Sequence, residues 1–255
     1  MSKHAAPPSG GPPDSRQRQR FRQLIDWIGS HELSVQIAFL VIVAAIWGFV
    51  KIADEVAEGD TAKFDTWAVQ AMRRPGNLAE PIGPLWLAEV GRDLTALGGV
   101  ACLSLLTTAV VGWLWLRNRY RAAILVLVAT LGGLAVSSFL KWFFERPRPA
   151  VVPHLARVYT SSFPSGHSML AATVFLTLGA LLASFVEERR LKAYFLFVAV
   201  VLTILIGISR VYLGVHYPTD VLAGWTAGMA WAVACWLVAR LLQRRGAVEK
   251  DASQR

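Results

Sequence analysis

Residues 122–140 read AAILVLVATLGGLAVSSFL, a stretch that contains no charged side chain. At 1.5 Å per residue, a helix of this length comes close to crossing the roughly 30 Å hydrocarbon core of a bilayer. The sequence therefore predicts an all-α fold, a polytopic membrane bundle of six transmembrane helices. The other five apolar segments lie at about 33–50, 94–116, 168–186, 191–208 and 221–242.

The composition of the whole chain agrees with a membrane protein. Of its 255 residues, 55% are hydrophobic and only 17% are charged, which is too apolar for an ordinary soluble domain. A net charge of +9 would suggest a nucleic-acid partner in a soluble protein. Because the charges here flank apolar spans, we expect a membrane partner and no nucleic acid. Cys102 and Cys235 each lie inside an apolar run and are interpreted as inert core thiols.

Basic residues are unevenly distributed between the two sides that alternating spans define. Most of the 26 Lys and Arg lie in the N-terminal tail, in the turns at 117–121 and 187–192, and in the C-terminal tail. An excess of basic residues marks the cytoplasmic side, so both termini are predicted to be cytoplasmic. We expect a disordered basic tail at 1–32, the six-span domain at 33–242 and a cytoplasmic C-terminal tail at 243–255.

Two segments on the opposite side allow two interpretations each. The long outer segment at 51–93 contains FDTWAVQAMRR at 64–74, an amphipathic stretch expected along the membrane surface. It either shapes substrate entry or only connects two spans. In GRDLTALGG at 91–99, one interpretation of Asp93 and Thr95 is that they cap a helix; the other comes from the family resemblance given below.

Three outer loops carry polar clusters at the membrane edge. They read KWFFERPRP at 141–149, PSGH at 164–167 and SRVYLGVHYPTD at 209–220. Each residue alone has an ordinary explanation, such as a basic side chain that snorkels to headgroups or a serine that caps a helix. Together they supply what phosphoryl transfer requires. Glu145 and Arg146, between Lys141 and Arg148, either tune the pocket or lie at the surface, and we expect them at the surface.

A phosphate monoester carries about −1.5 to −2 charges near neutral pH and needs several cations. Lys141, Arg148 and Arg210 supply them. Ser165, Gly166 and His167 stand where a helix begins, so that free backbone N–H groups face an anion.

Two histidines divide the remaining work. His216 is the better candidate for the nucleophile, because Asp220 follows four residues later and can hold one tautomer of the ring. Pro218 disfavours a helix through 216–220, which places His216 in a turn and Asp220 in the first helical turn. His167 is left as the general acid that protonates the leaving oxygen.

These residues resemble a known family. The patterns K-x6-R-P, P-S-G-H and S-R-x5-H-x3-D, at 141–149, 164–167 and 209–220, are similar to the three-part signature of the type-2 phosphatidic acid phosphatase superfamily. The resemblance implies a phosphohistidine formed on His216 and oriented by Asp220, with His167 as the acid. It also implies phosphate binding without a metal ion or other cofactor, by Lys141, Arg148, Ser165, Gly166 and Arg210. GRDLTALGG at 91–99 resembles a stretch that precedes the second span in bacterial members, which implies that Asp93 and Thr95 touch a lipid headgroup.

The function expected from the residues and the resemblance is that of a membrane lipid phosphatase. Candidate substrates are undecaprenyl pyrophosphate, phosphatidylglycerol phosphate, phosphatidic acid and diacylglycerol pyrophosphate. By analogy we expect a bacterial inner membrane, with the active site facing the periplasm. A phosphotransferase with a non-water acceptor and a non-enzymatic lipid-binding or transport protein stay open, as does the oligomeric state.

Overall fold

The computed structural model describes residues 33–156 and 160–244. The tail expected at 1–32 and residues 245–255 of the C-terminal tail lie outside these ranges. The described helices are α1 Leu33–Glu58, α2 Ala62–Ala71, α3 Leu85–Leu97, α4 Val100–Leu116, α5 Tyr120–Phe144, α6 Gly166–Ser184, α7 Arg189–Tyr212 and α8 Pro218–Arg244. A short antiparallel hairpin pairs β1 Arg73–Arg74 with β2 Asn77–Pro81.

The helices confirm a polytopic membrane protein. Helices α1, α5, α6, α7 and α8 are each long and apolar enough to cross a bilayer, and α3 with α4 can form a sixth, bent span. That span was predicted at 94–116 as a single segment. Instead the chain bends by 47° between α3 and α4, because Gly98 and Gly99 interrupt the helix and glycine has low helix propensity.

Helix α6 is the most buried of the candidate spans, with 56% of its apolar window covered by protein. Helix α8 approaches it closely at two glycines. A Cβ at Gly228 would lie 2.4 Å from the carbonyl oxygen of Met169, and one at Gly224 would lie 2.7 Å from that of Ser165. Small residues allow such approach between helices in lipid. The N-terminal ends of α6 and α8 are therefore held together.

The segment between the first two spans is more structured than the sequence indicated. Helix α2 forms within the predicted amphipathic stretch, with Asp65 and Val69 buried and Phe64 and Trp67 exposed. The hairpin that follows was not predicted. Its strands are joined by a turn at Pro75–Gly76, a dipeptide typical of tight turns. All contacts discussed below lie within residues 41–244, which belong to one compact unit.

Candidate active site

The three polar loops converge at one end of the helices. Lys141 lies in the last turn of α5, and α6 begins at Gly166. Arg210 lies in the last turn of α7, and Asp220 in the first turn of α8. The backbone N–H of Ser165 donates to the carbonyl of Asp220 at 2.9 Å, which joins the second and third loops directly.

His216 and Asp220 form a buried pair. Nδ1 of His216 lies 3.3 Å from Oδ2 of Asp220, and the side chains are 1% and 0% exposed. The same Oδ2 accepts from the backbone N–H of Tyr217 at 2.9 Å and from the hydroxyl of Ser162. As predicted, α8 begins at Pro218, so that His216 lies in the preceding turn.

The contacts of His216 define its tautomer. Its Nε2 lies 3.2 Å from Nη1 of Arg148. Because a guanidinium has only donors, Nε2 must accept, and Nδ1 then carries the proton directed at Asp220. Burial lowers the pKa of His216 to about 3, against the opposing effect of Asp220. The resting ring is therefore neutral, with its lone pair on the side of Arg148.

Three cations of these loops lack a carboxylate partner in the described part of the chain. Arg148 donates to the carbonyls of Thr160 and Val215 at 2.7 and 2.8 Å, and Lys141 donates to that of Ser161 at 2.7 Å. In the ranges 33–156 and 160–244, no acidic side chain forms an ion pair with Lys141, Arg148 or Arg210. Uncompensated positive charge at one place favours an anionic ligand.

The second loop adds a helix N-terminus to this cluster. Ser165 is the N-cap of α6, and its Oγ accepts from the backbone N–H and the hydroxyl of Ser168 at 3.4 and 2.9 Å. Its own hydroxyl hydrogen stays available as a donor. A Cβ at Gly166 would lie 3.1 Å from Cε of Lys141, so any larger residue would crowd the lysine. His167 is half-buried and lies within electrostatic range of Arg210, His216, Lys141 and Arg148.

Comparison with known proteins places this geometry in a family. The sequence model described as PAP2 superfamily matches residues 121–244. Phosphatidylglycerophosphatase B of Bacillus subtilis is 34% identical over 202 residues, covering 77% of this chain and 89% of that protein. The chain belongs to the PAP2 superfamily. It is therefore a membrane-spanning lipid phosphatase.

Two further relatives of this PAP2 protein agree. A putative undecaprenyl-diphosphatase of Escherichia coli is 34% identical over 138 residues, covering 51% of this chain and 64% of that protein. The crystal structure of a transmembrane PAP2 type phosphatidylglycerolphosphate phosphatase from Bacillus subtilis superimposes with a TM-score of 0.73 at 29% identity. It covers 80% of this chain and 98% of that chain.

Sequence reasoning misplaced one residue of the PAP2 protein. Arg146 was expected at the surface, but its side chain is 15% exposed and lies between Asp65 and Asp220. The physical reason is the end of α5, where Glu145 adopts a left-handed conformation with φ of 45° and ends the helix. Arg146 then donates to Asp65 and Asp220. The sequence held one signal for this contact. Asp65 lies four residues before Val69, on the same face of α2, and a carboxylate on an apolar face needs a cationic partner.

Thr95 also gains a defined role in the PAP2 fold. Its hydroxyl accepts from Nη1 of Arg210 at 2.9 Å, and Thr95 lies inside α3, so it is not a helix cap. Asp93 is exposed. The adjoining bend lies beside the second loop, since a Cβ at Gly99 would lie 3.7 Å from Nε2 of His167. In the described part of the chain, no group of three or more His, Cys, Asp or Glu side chains could hold a metal ion.

Proposed function

We propose that this phosphatase cleaves a phosphomonoester or pyrophosphate of a membrane lipid through a phosphohistidine on His216. The observation that carries the proposal is the state of His216. Its Nδ1 donates to the buried Asp220, and the lone pair of its Nε2 faces the guanidinium of Arg148. A phosphate held by Arg148 would lie beside the nitrogen that attacks it.

The first half-reaction follows from this arrangement. Lys141, Arg148 and Arg210 bind the phosphate oxygens and offset the charge of the transition state. Nε2 of His216 forms a bond to phosphorus while the bond to the lipid oxygen breaks. His167, which is protonated in the complex because the bound phosphate dianion favours its charged form, gives that proton to the lipid oxygen, since an alkoxide leaves poorly without one. Asp220 stabilises the ring, which becomes cationic as the phosphohistidine forms.

The second half-reaction restores the enzyme. His167, now neutral, accepts a proton from water, and the resulting hydroxide attacks phosphorus. The N–P bond breaks and its electron pair returns to Nε2, so that inorganic phosphate and neutral His216 are the products. Every proton moves between His167, the lipid oxygen and water, and the scheme uses no metal ion.

Two of the four candidate lipids have support from relatives. The 34%-identical Bacillus subtilis relative and the superimposed crystal structure are both named for phosphatidylglycerol phosphate. We therefore place that lipid first, and undecaprenyl pyrophosphate second because of the Escherichia coli relative. Phosphatidic acid and diacylglycerol pyrophosphate complete the set to be assayed.

The orientation proposed from the charge distribution places the site on the periplasmic side of a bacterial inner membrane. The polar cluster lies where α5 and α7 end and where α6 and α8 begin. The basic turns at 117–121 and 187–192 precede α5 and α7, at the opposite ends of those helices. If these turns are cytoplasmic, the site faces outward and both termini face inward.

The test is phosphate release by the purified protein in detergent with excess chelator, using all four lipids. We expect release from at least one lipid, and its loss by about 10³-fold or more in His216→Ala. A radiolabelled phosphate should be trapped on the wild-type chain as an acid-labile, alkali-stable adduct, and not on that variant. Undiminished turnover in His216→Ala would exclude the mechanism.

The same assay separates the alternatives. Recovery of all lipid phosphate as inorganic phosphate, even with alcohols or sugars present as acceptors, excludes a phosphotransferase. Absence of hydrolysis with every lipid, in protein that still binds them, would instead favour a binding or transport protein.

A further inference from the structure

Arg146 connects two buried carboxylates next to the proposed nucleophile. Its Nη1 lies 2.6 Å from Oδ1 of Asp220, and its Nη2 lies 2.7 Å from Oδ2 of Asp65. Both carboxylates are 0% exposed. Arg146 is one of the six positions that the pattern K-x6-R-P leaves unspecified, and Asp65 lies on α2, outside the segment that matches the family model.

Asp65 also holds the beginning of α8. It accepts from the backbone N–H of Thr219 at 3.2 Å and from its hydroxyl at 2.6 Å. Nη1 of Arg146 donates to the same hydroxyl at 2.9 Å, and the guanidinium lies 4.5 Å from the centre of the Tyr217 ring. Both neighbours of Pro218 are thus fixed by contacts from other parts of the chain.

These contacts assign a separate partner to each oxygen of Asp220. Arg146 binds Oδ1, whereas Oδ2 faces Tyr217, Ser162 and His216. The backbone carbonyl of Arg146 accepts from the N–H of Ser162 at 2.8 Å, so Arg146 supports both sides of the carboxylate. A carboxylate with both oxygens engaged cannot rotate without breaking charged hydrogen bonds, which are stronger than neutral ones.

The charges of the network also fit the reaction. The net charge of the Asp65 and Asp220 carboxylates and the Arg146 guanidinium is −1. The ring of His216 becomes cationic when the phosphohistidine forms, and its charge balances this −1. Without Arg146, two carboxylates would lie buried near each other, which is costly. Although burial lowers the pKa of Arg146, Asp220 and Asp65 more than offset it and the pKa is raised, so the guanidinium stays charged.

We propose that Arg146 and Asp65 are positioning residues that hold Asp220 in the orientation His216 needs for attack. The inference rests on the proposed function in one respect, that His216 is the nucleophile. It implies that the segment between the first two spans, through Asp65, sets the geometry of a catalytic residue that lies 155 positions further along the chain.

The first experiment measures kcat and KM for Arg146→Gln, Arg146→Lys and Asp65→Asn. We expect kcat to fall about 10- to 100-fold in Arg146→Gln and about 5- to 10-fold in Asp65→Asn, with KM within about 3-fold. Among the hydrogen bonds and ion pairs of the described residues, none joins Arg146 or Asp65 to the three phosphate-binding cations. Arg146→Lys should fall between wild type and Arg146→Gln, because one ammonium keeps the charge but cannot bridge two carboxylates in a fixed plane.

Matched controls come from the same outer segment. Arg74 and Glu80 form an ion pair at 2.9 Å whose side chains are about half exposed. Arg74→Gln and Glu80→Gln remove the same chemical groups and should leave kcat unchanged. The double variant Arg146→Gln with Asp65→Asn should lose less than the product of the two single losses, since Asp65 acts in part through Arg146 and in part through Thr219. Additive losses would contradict the proposed coupling.

A second experiment does not depend on lipid hydrolysis. Orthovanadate forms a five-coordinate species with a histidine nitrogen and imitates phosphoryl transfer, whereas inorganic phosphate stays tetrahedral. Titration of each purified variant, followed by thermal shift, should show vanadate affinity about 10-fold lower in Arg146→Gln and Asp65→Asn. Phosphate affinity should change by less than about 2-fold.

These outcomes separate the two proposals. If wild type hydrolyses none of the four lipids but vanadate affinity still depends on Arg146, the substrate assignment fails and the positioning role stands. If kcat and vanadate affinity are unchanged in Arg146→Gln, the positioning role is wrong. It is also wrong if vanadate and phosphate affinities fall equally, because that result indicates general damage to the pocket.

Discussion

One carboxylate oxygen of Asp220 faces His216 and the other accepts from Arg146. These two contacts determine how an asparagine at this position would change the reaction. In Asp220→Asn, the amide must present its NH₂ group either to Arg146, which has only donors, or to His216. The second arrangement makes Nδ1 an acceptor and moves the proton to Nε2, the nitrogen proposed to attack phosphorus. We expect kcat to fall about 10³-fold or more, as the wrong tautomer does in other triads, measured by phosphate release at saturating lipid.

Ser162→Ala is the control at this site. It removes one donor to Oδ2 of Asp220 but leaves the carboxylate and its pairing with Arg146 in place. The expected loss in kcat is within about 10-fold. An Asp220→Asn variant that retained more than about a tenth of wild-type turnover would show that Asp220 does not select the tautomer of His216.

The burial of His216 also predicts how stability changes with pH. Burial lowers the pKa of His216 to about 3, while a histidine in the unfolded chain has a pKa of about 6.5. Between pH 7 and pH 5 the unfolded chain therefore binds a proton that the folded chain does not, and stability falls as the pH falls. The Tm in detergent should drop less over this range in His216→Gln than in wild type. His154→Gln, at an exposed position, should behave like wild type.

At the scale of helices, the local sequence predicted where helices lie but not which distant residues contact each other. Apolar length predicted the spans, and Pro218 predicted the start of α8. The interaction of Arg146 with Asp65 joins residues 81 positions apart, and no local pattern encodes such a contact. The bend between α3 and α4 lies at a local signal, the pair Gly98–Gly99, which the prediction of a single span at 94–116 did not use. Local signals predict elements, whereas polar contacts between distant segments follow from how the elements pack.

The approach of α8 to α6 gives a prediction at the same scale. A Cβ at Gly228 would lie 2.4 Å from a carbonyl oxygen of α6, so Gly228→Ala must push the helices apart. Such overpacking costs about 1–3 kcal/mol. We expect a lower Tm and a reduced kcat, because α8 carries Asp220. At Gly112 of α4 a Cβ would meet nothing within 4 Å, and Gly112→Ala should keep full activity with an equal or higher Tm. Equal behaviour of the two variants would show that close helix contact is not required.

At the scale of the whole molecule, the helices bring four chain segments to one end while the basic turns lie at the other. Lys141 and Arg210 end two helices that run toward the site, and Ser165 and Asp220 begin two that run away from it. Alternating direction is what a chain that crosses a membrane repeatedly must adopt. The same alternation that collects the site on one side sends the charges that define topology to the other side.

This separation predicts which positions a reagent outside the cell can reach. Glu80 lies on the side of the site and Arg190 in a basic turn, and both are exposed. In a background with Cys102 and Cys235 replaced by Ala, Glu80→Cys should react with a membrane-impermeant maleimide in spheroplasts, and Arg190→Cys should react only after lysis. The periplasmic orientation requires this order, because each variant carries one thiol and the bilayer separates the two positions. Labelling of Arg190→Cys in intact spheroplasts, with Glu80→Cys protected, would place the catalytic cluster in the cytoplasm.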